Sequence, residues 1–300
     1  PISAAEDSQE HASIAFDGTN YFVVWRDRGP RPTWWSQIYG ARIDRDGVLL
    51  DTSGIRILKW QGDQWDPSIA FNGVNHLVVW MGWHWPGERG IVGARVDPSG
   101  VTLDSIVIST AANLQMYPQV ASDGRDYLVV WQDYRSGTDW DIYGARVSQQ
   151  GIVLDPSGIP LSRAPYDQEA PSVIFSGTDY VVLWQDRRSG DYDLYGVRVN
   201  PSGSVTDSFV VSRQAGNQRS PSLVKGAGSQ HLIAYQGWAP DPWKTPRIWG
   251  KFSSFVGIEE TSHDQLPMAN VQLMQNAPNP FSGETQIAYS VWPMAETGDA

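Results

Sequence analysis

Cysteine is absent from the 300 residues, which removes disulfides, thiolate metal sites and cysteine nucleophiles together and leaves the redox compartment open. A positive balance is missing too. With 33 acidic against 22 basic residues the net charge is -11, which repels nucleic-acid phosphate and anionic membrane and sets both aside as partners. No stretch approaches the roughly 18 apolar residues a bilayer span requires. The first residues, "PISAAEDSQE", lack the basic segment and apolar run of a signal peptide, so the chain is expected to begin after processing or to be a fragment. The five histidines (His11, His76, His84, His231 and His263) form no H-x-x-x-H or H-E-x-x-H pair, and there is neither a G-x-S-x-G elbow nor a Gly-rich phosphate loop. No zinc hydrolase and no cofactor are therefore expected.

What the chain does contain is a repeat. "SIAFDGTNYFVVWRD" (13–27), "SIAFNGVNHLVVWMG" (68–82), "QVASDGRDYLVVWQD" (119–133) and "SVIFSGTDYVVLWQD" (172–186) are copies of one unit, and "SLVKGAGSQHLIAYQG" (222–237) is a degenerate fifth. Trp25, Trp80, Trp131, Trp184 and Tyr235 mark the period, with steps of 55, 51, 53 and 51 residues. A second landmark follows in every copy: "IYGARI", "IVGARV", "IYGARV", "LYGVRV" and "IWGKFS". Four copies add a third apolar run, such as "GIRIL" or "FVVSR". These short β-branched and aromatic runs, bounded by Gly, Asn, Asp and Pro, have no helical period and read as strands and turns.

Each unit reads as four antiparallel strands, the first two joined by a tight hairpin across "DGTN", "NGVN", "DGRD" or "SGTD". Four-stranded repeats of this length predict an all-β fold, a β-propeller of five blades over 1–256, in which the periodic Trp packs one blade on the next. The fifth unit lacks an obvious fourth strand, while "PISAAEDSQEHASIAF" aligns with "PLSRAPYDQEAPSVIF" (160–175). Pro1 to Ala4 is therefore expected to complete the last blade and close the ring, removing its open edges. A longer parent chain would make a larger ring.

The repeat resembles the "VVWxDxRxGxxDIYGxRV" propeller-like units of many secreted bacterial proteins, and 129–147, "VVWQDYRSGTDWDIYGARV", carries the resemblance best. Beyond a linker at 257–270, "VQLMQNAPNPFSGETQIAYSVW" is similar to the start of the C-terminal sorting domain of the type IX (Por) secretion system, through Asn276, Pro278, Asn279, Pro280 and Phe281. Residues 271–300 would then be the beginning of a truncated Ig-like sandwich. That resemblance implies export through the type IX machinery and a secreted or outer-surface location.

Of the 15 Trp, nine fall in the strand 2–3 loops or the first inter-blade connection, all on one face of a propeller. They are Trp34, Trp35, Trp60, Trp65, Trp83, Trp85, Trp140, Trp238 and Trp243, joined there by Tyr117, Tyr134, Tyr166 and Tyr192. Turns on the other face, such as "DPSG" and "NPSG", carry no aromatic. One-sided aromatic surfaces usually mark binding, and flat rings with a polar edge suit the C–H faces of sugars, so a glycan or a surface protein is the expected partner. The competing reading buries these rings as a lid.

Repeated charges point to structure instead. Asp27, Asp133 and Asp186 follow the packing Trp, and Arg42, Arg95, Arg146 and Arg198 follow the "YG" landmark, so turn caps and ion pairs are expected. Closely spaced Asp139 and Asp141, and Asp191 and Asp193, are candidate calcium ligands, although neither loop reaches the D-x-D-x-D-G pattern. Five-bladed propellers include arabinanase-type glycosidases with carboxylates at the channel mouth. Glu10, Asp66 and Glu169, placed just before first strands, are the candidate acid, base and modulator for such chemistry. The expected function is a secreted or surface binding module for carbohydrate, with a glycoside hydrolase or a structural, protein-binding scaffold as alternatives.

Overall fold

The computed structural model describes residues 1–5, 8–29, 35–59, 62–84, 88–226, 228, 230–239 and 244–254. The chain divides into two units, Pro1–Phe255 and Val256–Ala300, and the second, with the sorting-domain resemblance at 276–281, lies outside the described residues. The first unit is all-β. Blade 1 holds β1 (Gln9–Phe16), β2 (Tyr21–Asp27), β3 (Gln37–Ile43) and the short β4 (Ile55–Arg56). Blade 2 holds β5 (Gln64–Phe71), β6 (His76–His84), β7 (Glu88–Val96) and β8 (Thr102–Ser109). In blade 3 the strands are β9 (Gln115–Ser122), β10 (Tyr127–Asp133), β11 (Asp141–Val147) and β12 (Ile159–Ser162); in blade 4, β13 (Gln168–Phe175), β14 (Tyr180–Ser189), β15 (Asp191–Val199) and β16 (Val205–Ser212). Blade 5 comprises β17 (Gln218–Lys225), β18 (Gln230–Ala239) and β19 (Thr245–Ser254). Every sheet is an antiparallel meander in chain order, and the whole is a five-bladed β-propeller.

Local chemistry explains the repeat. The 1–2 hairpins close with Asp17 N–H donating to Asn20 at 3.0 Å and Asn72 N–H to Asn75 at 3.1 Å, across Gly18 and Gly73 at φ +94° and +90°. The Gly of the "YG" landmark crosses strand 2 closely, since a Cβ on Gly93 would lie 2.9 Å from the Val78 carbonyl oxygen.

Inner strands pack in sequence, β1 on β5, β5 on β9, β9 on β13 and β13 on β17. Four apolar cores lie between successive blades: Ile38 and Ile57 meet Ile69 and Trp80, and Val79 and Ile108 meet Val120 and Trp131. Leu161 and Ile142 likewise meet Val173 and Trp184, and Leu194 and Val211 meet Leu223 and Tyr235. Trp80, Trp131, Trp184 and Tyr235 are thus the inter-blade packing expected of them, each costing about 3–5 kcal/mol on truncation to alanine, whereas Trp25 packs within blade 1 on Val23 and Ala41.

The repeated charges form clasps. Arg42, Arg95, Arg146 and Arg198 pair with Asp51, Asp104, Asp155 and Asp207. Three reach onward to the next blade, Arg42 donating to the Pro98 carbonyl, Arg95 to Gln149 and Arg146 to Pro201. Asp133 and Asp186, both fully buried, accept from the Trp131 and Trp184 indoles and from Arg135 and Arg188.

One expectation is corrected. Residues 1–5 carry no strand, and blade 5 has three strands among the described residues, so Pro1 to Ala4 does not complete it. The segment has only Ile2 to bury, and a short strand with one apolar contact cannot offset the cost of ordering it.

Candidate functional site

The first strand of every blade opens on the same backbone device. Its third residue is left-handed: His11 and Asp66 at φ 54°, Tyr117 at 52°, Ala170 and Ser220 at 51°. Such a conformation costs a non-glycine residue roughly 1–2 kcal/mol and persists only where its surroundings impose it. They do so from both sides. The residue before the pair is a buried Gln whose carboxamide donates to the incoming loop, Gln115 to Ala112 at 3.1 Å, Gln168 to Ala164 at 3.1 Å and Gln218 to Gln214 at 2.9 Å. The residue after the turn is Pro67, Pro118, Pro171 or Pro221, with Ala12 in blade 1, and proline fixes φ and needs no donor partner. In all five blades the strand register slips here, a β-bulge. The neighbouring blade holds two of the turned backbones, Gln132 Oε1 accepting from Ala170 N–H at 3.1 Å and Gln185 Oε1 from Ser220 N–H at 3.0 Å.

Because the inner strands pack around the axis, these bulges gather side chains at one mouth. His11 Nδ1 lies 2.9 Å from Asp66 Oδ1. Burial pushes the Asp66 carboxyl above the usual carboxylate range, partly offset by the charges of His11 and Arg26. Arg26 donates to Glu10 Oε2 at 3.2 Å and covers the Trp65 ring at 4.8 Å. The Tyr117 phenol is pushed up first by burial and then by the carboxylates of Asp66 and Glu169, so both act on this one hydroxyl. Glu169 Oε2 accepts from Tyr192 Oη at 2.7 Å and from Gln185 Nε2 at 3.2 Å. Tyr192 is pushed up to about 12 by burial and then by that carboxylate, while Arg219 stacks on its ring at 4.4 Å.

Glu10 is joined to Asp66 through Arg26, Asp66 and Glu169 both act on the Tyr117 phenol, and all three carboxylates lie inside the first strands rather than before them. What the sequence reading misses is the turned position itself. Its signal is present in "QEHA", "QWDP", "QMYP", "QEAP" and "QRSP", a constant Gln and a near-constant Pro around a residue that changes in every blade.

The aromatic face is mixed. Trp34, Trp60, Trp85 and Trp243 lie outside the described residues. Trp35, Trp238, Tyr117 and Tyr166 are exposed, whereas Trp65, Trp83 and Trp140 are half-buried, the last tilted on Tyr134 with ring centroids 5.0 Å apart. Trp65 lies in β5 and not in the connection before it, and Trp83 and Trp238 are not in loops as expected. They extend β6 and β18, because the Trp83 N–H donates to Asp63 at 2.8 Å and that of Trp238 to Asn217 at 3.2 Å, in the incoming connection. Tyr192 is buried in β15, not in a loop, and donates to Glu169.

The calcium candidates separate into hairpin partners. Asp141 faces Asp133 and Asp193 faces Asp186 across the 2–3 hairpins. Asp141 is pushed up to about 6, chiefly by burial, and Asp193 accepts from the Ser189 hydroxyl. Asp139 is half-buried and Asp191 exposed. Among the described residues no group of three or more His, Asp or Glu side chains forms a metal-holding set.

No family model matches the chain, and no curated protein does. Solved structures do resemble it in fold. A thermostable family-43 glycoside hydrolase is 13% identical with a TM-score of 0.49, over 81% of this chain and 89% of that one. The endo-arabinase from Bacteroides thetaiotaomicron VPI-5482 is 15% identical with a TM-score of 0.48, over 81% and 94%. A neuraminidase-like protein of subtype N11, from A/flat-faced bat/Peru/033/2010, is 11% identical with a TM-score of 0.48, over 76% and 69%.

Proposed function

We propose that the axial mouth takes a glycan and hydrolyses a glycosidic bond, with Asp66 as general acid and Glu169 as the second carboxylate. The observation that carries this reading is the Asp66 carboxyl, held above its usual range by burial while Tyr117 lies under the influence of both Asp66 and Glu169. Glycosidic cleavage needs one carboxyl still protonated at working pH and another ionised to activate water or attack the sugar. Glu10, paired with Arg26, is the modulator of the local field. Exposed Trp35, Trp238 and Tyr166 offer rings for sugar faces on the approach to the mouth.

A binding module without chemistry is the second reading, favoured by Ala170 and Ser220, which leave two of the five turned positions without an ionisable group. The experiment is release of reducing ends from a panel of neutral polysaccharides, arabinan and xylan among them, beside glycan binding. Turnover that falls by roughly 100-fold or more in both Asp66→Asn and Glu169→Gln, with binding retained, supports hydrolysis. Binding without turnover, lost in Trp35→Ala and Trp238→Ala, assigns the module instead. Export through the type IX machinery to the outer surface is part of the proposal and rests on the "NAPNPF" element at 276–281.

A further inference from the structure

Tyr192 is held at both ends where blades 4 and 5 meet. Its hydroxyl donates to Glu169 Oε2 at 2.7 Å, and its backbone N–H donates to Asn217 Oδ1 at 3.0 Å, in the connection between the two blades. The Asn217 carbonyl oxygen also accepts from the Trp238 N–H at 3.2 Å. One asparagine therefore ties the tyrosine behind Glu169 to an exposed tryptophan beside it.

Two guanidinium groups lie over this fixed ring, Arg219 from β17 at 4.4 Å and Arg187 from β14 at 6.0 Å. Both side chains are exposed, and among the described residues neither forms an ion pair or a side-chain hydrogen bond. Their neighbour Arg188 is instead bound to Asp186. The nearby carboxylates are engaged elsewhere, Glu169 by Tyr192 and Gln185, and Asp167 by the Trp140 N–H at 3.2 Å. Arg219 leans on blade 4, the side of blade 5 that is already packed. Two like charges over one ring repel, and an anion shared between them relieves that repulsion. Contact with the ring restrains each guanidinium in advance, so less side-chain freedom is lost on binding, and the planar fork matches the two oxygens of a carboxylate.

We propose that the blade 4–5 flank of the mouth binds the carboxylate of a uronate unit, with Arg187 and Arg219 as the clamp and Trp238 under the adjoining sugar ring. The proposal rests on the glycan reading of the mouth and narrows its substrate. With a net charge of -11 the chain repels a densely charged polyanion, which favours a neutral backbone bearing isolated uronates over a continuous polyuronate.

The test is titration calorimetry in the Asp66→Asn background, where turnover does not consume the probe, with circular dichroism to check the fold of each variant. The probes are glucuronate-bearing xylan and arabinogalactan oligosaccharides, their carboxyl-reduced counterparts, and dextran sulfate. At least one acidic oligosaccharide should bind roughly tenfold more tightly than its reduced form. Arg187→Gln and Arg219→Gln should each lower that ratio, and the two together should bring it to about one. Arg125→Gln, on the hairpin between β9 and β10 at the opposite face, should leave it unchanged. A ratio near one for both oligosaccharides, no binding of either, a ratio that survives the double variant, or equally tight binding of dextran sulfate overturns the proposal. Release of reducing ends by the wild type is read separately. Carboxylate preference without turnover keeps this site and removes hydrolysis, whereas turnover without preference does the reverse.

Discussion

His11 Nδ1 and Asp66 Oδ1, from neighbouring blades, approach to 2.9 Å, with the imidazole half exposed and the carboxyl largely covered. The His11 charge holds the Asp66 carboxyl down against the upward push of burial. Replacing His11 by Phe removes that restraint, so Asp66 should titrate at higher pH than in the wild type. Carbon-detected NMR of the carboxyl checks the shift, and an unchanged or lowered midpoint would remove the dyad from the site's chemistry.

Asp133 is buried beneath Arg135 and the Trp131 indole, and its loss strands both partners. Asp133→Ala should cost about 3 kcal/mol, the scale for breaking a buried pair. Asp27 holds Trp25 and the Gly29 N–H without an arginine two residues on, so Asp27→Ala should cost only about 1 kcal/mol. Urea midpoints of the two variants give the comparison.

His76 occupies the tyrosine position of blade 2, buried between Phe22 and Phe71, and burial pushes it down to about 4. Its folded value lies below its unfolded value near 6.5, so the unfolded chain takes up the proton first. Stability is complete above about 6.5 and falls as the pH drops towards about 4, by on the order of 3 kcal/mol. The Phe22→Leu, His76→Tyr pair copies Leu77 and Tyr127 and should flatten that fall in thermal melts taken across the window.

Ala170 holds φ at 51° with a side chain that takes no part in the polar cluster. Ala170→Gly should relieve the turn by about 0.5–1 kcal/mol net of unfolded-state entropy, raising the melting temperature by roughly 2 °C. A lower melting temperature would show that the bulge is not strained.

The blades were legible because Trp25, Trp80, Trp131 and Trp184 recur at one spacing, and burial of a large ring at each recurrence leaves little choice of packing. The Arg42 to Asp51 clasp was legible for the same reason, being repeated in four blades. The site was readable only in part. Glu10, Asp66 and Glu169 announce themselves as carboxylates, but the left-handed turn at Ala170 is imposed by Gln132 from another blade, a contact that no local pattern contains. Trp83 reads as a loop residue in sequence because the hydrogen bond that prolongs its strand comes from Asp63, in the connection before it.

The turned position in each first strand is supported by its neighbours and not by its own side chain. Gln before it in every blade, and Pro after it in four, carry the hydrogen bonds and the backbone restraint, so His, Asp, Tyr, Ala and Ser are all accommodated there. Structure and chemistry are thereby assigned to different residues. Five single substitutions around one axis would rewrite what the mouth recognises without any blade having to refold, which makes this scaffold a natural starting point for divergence.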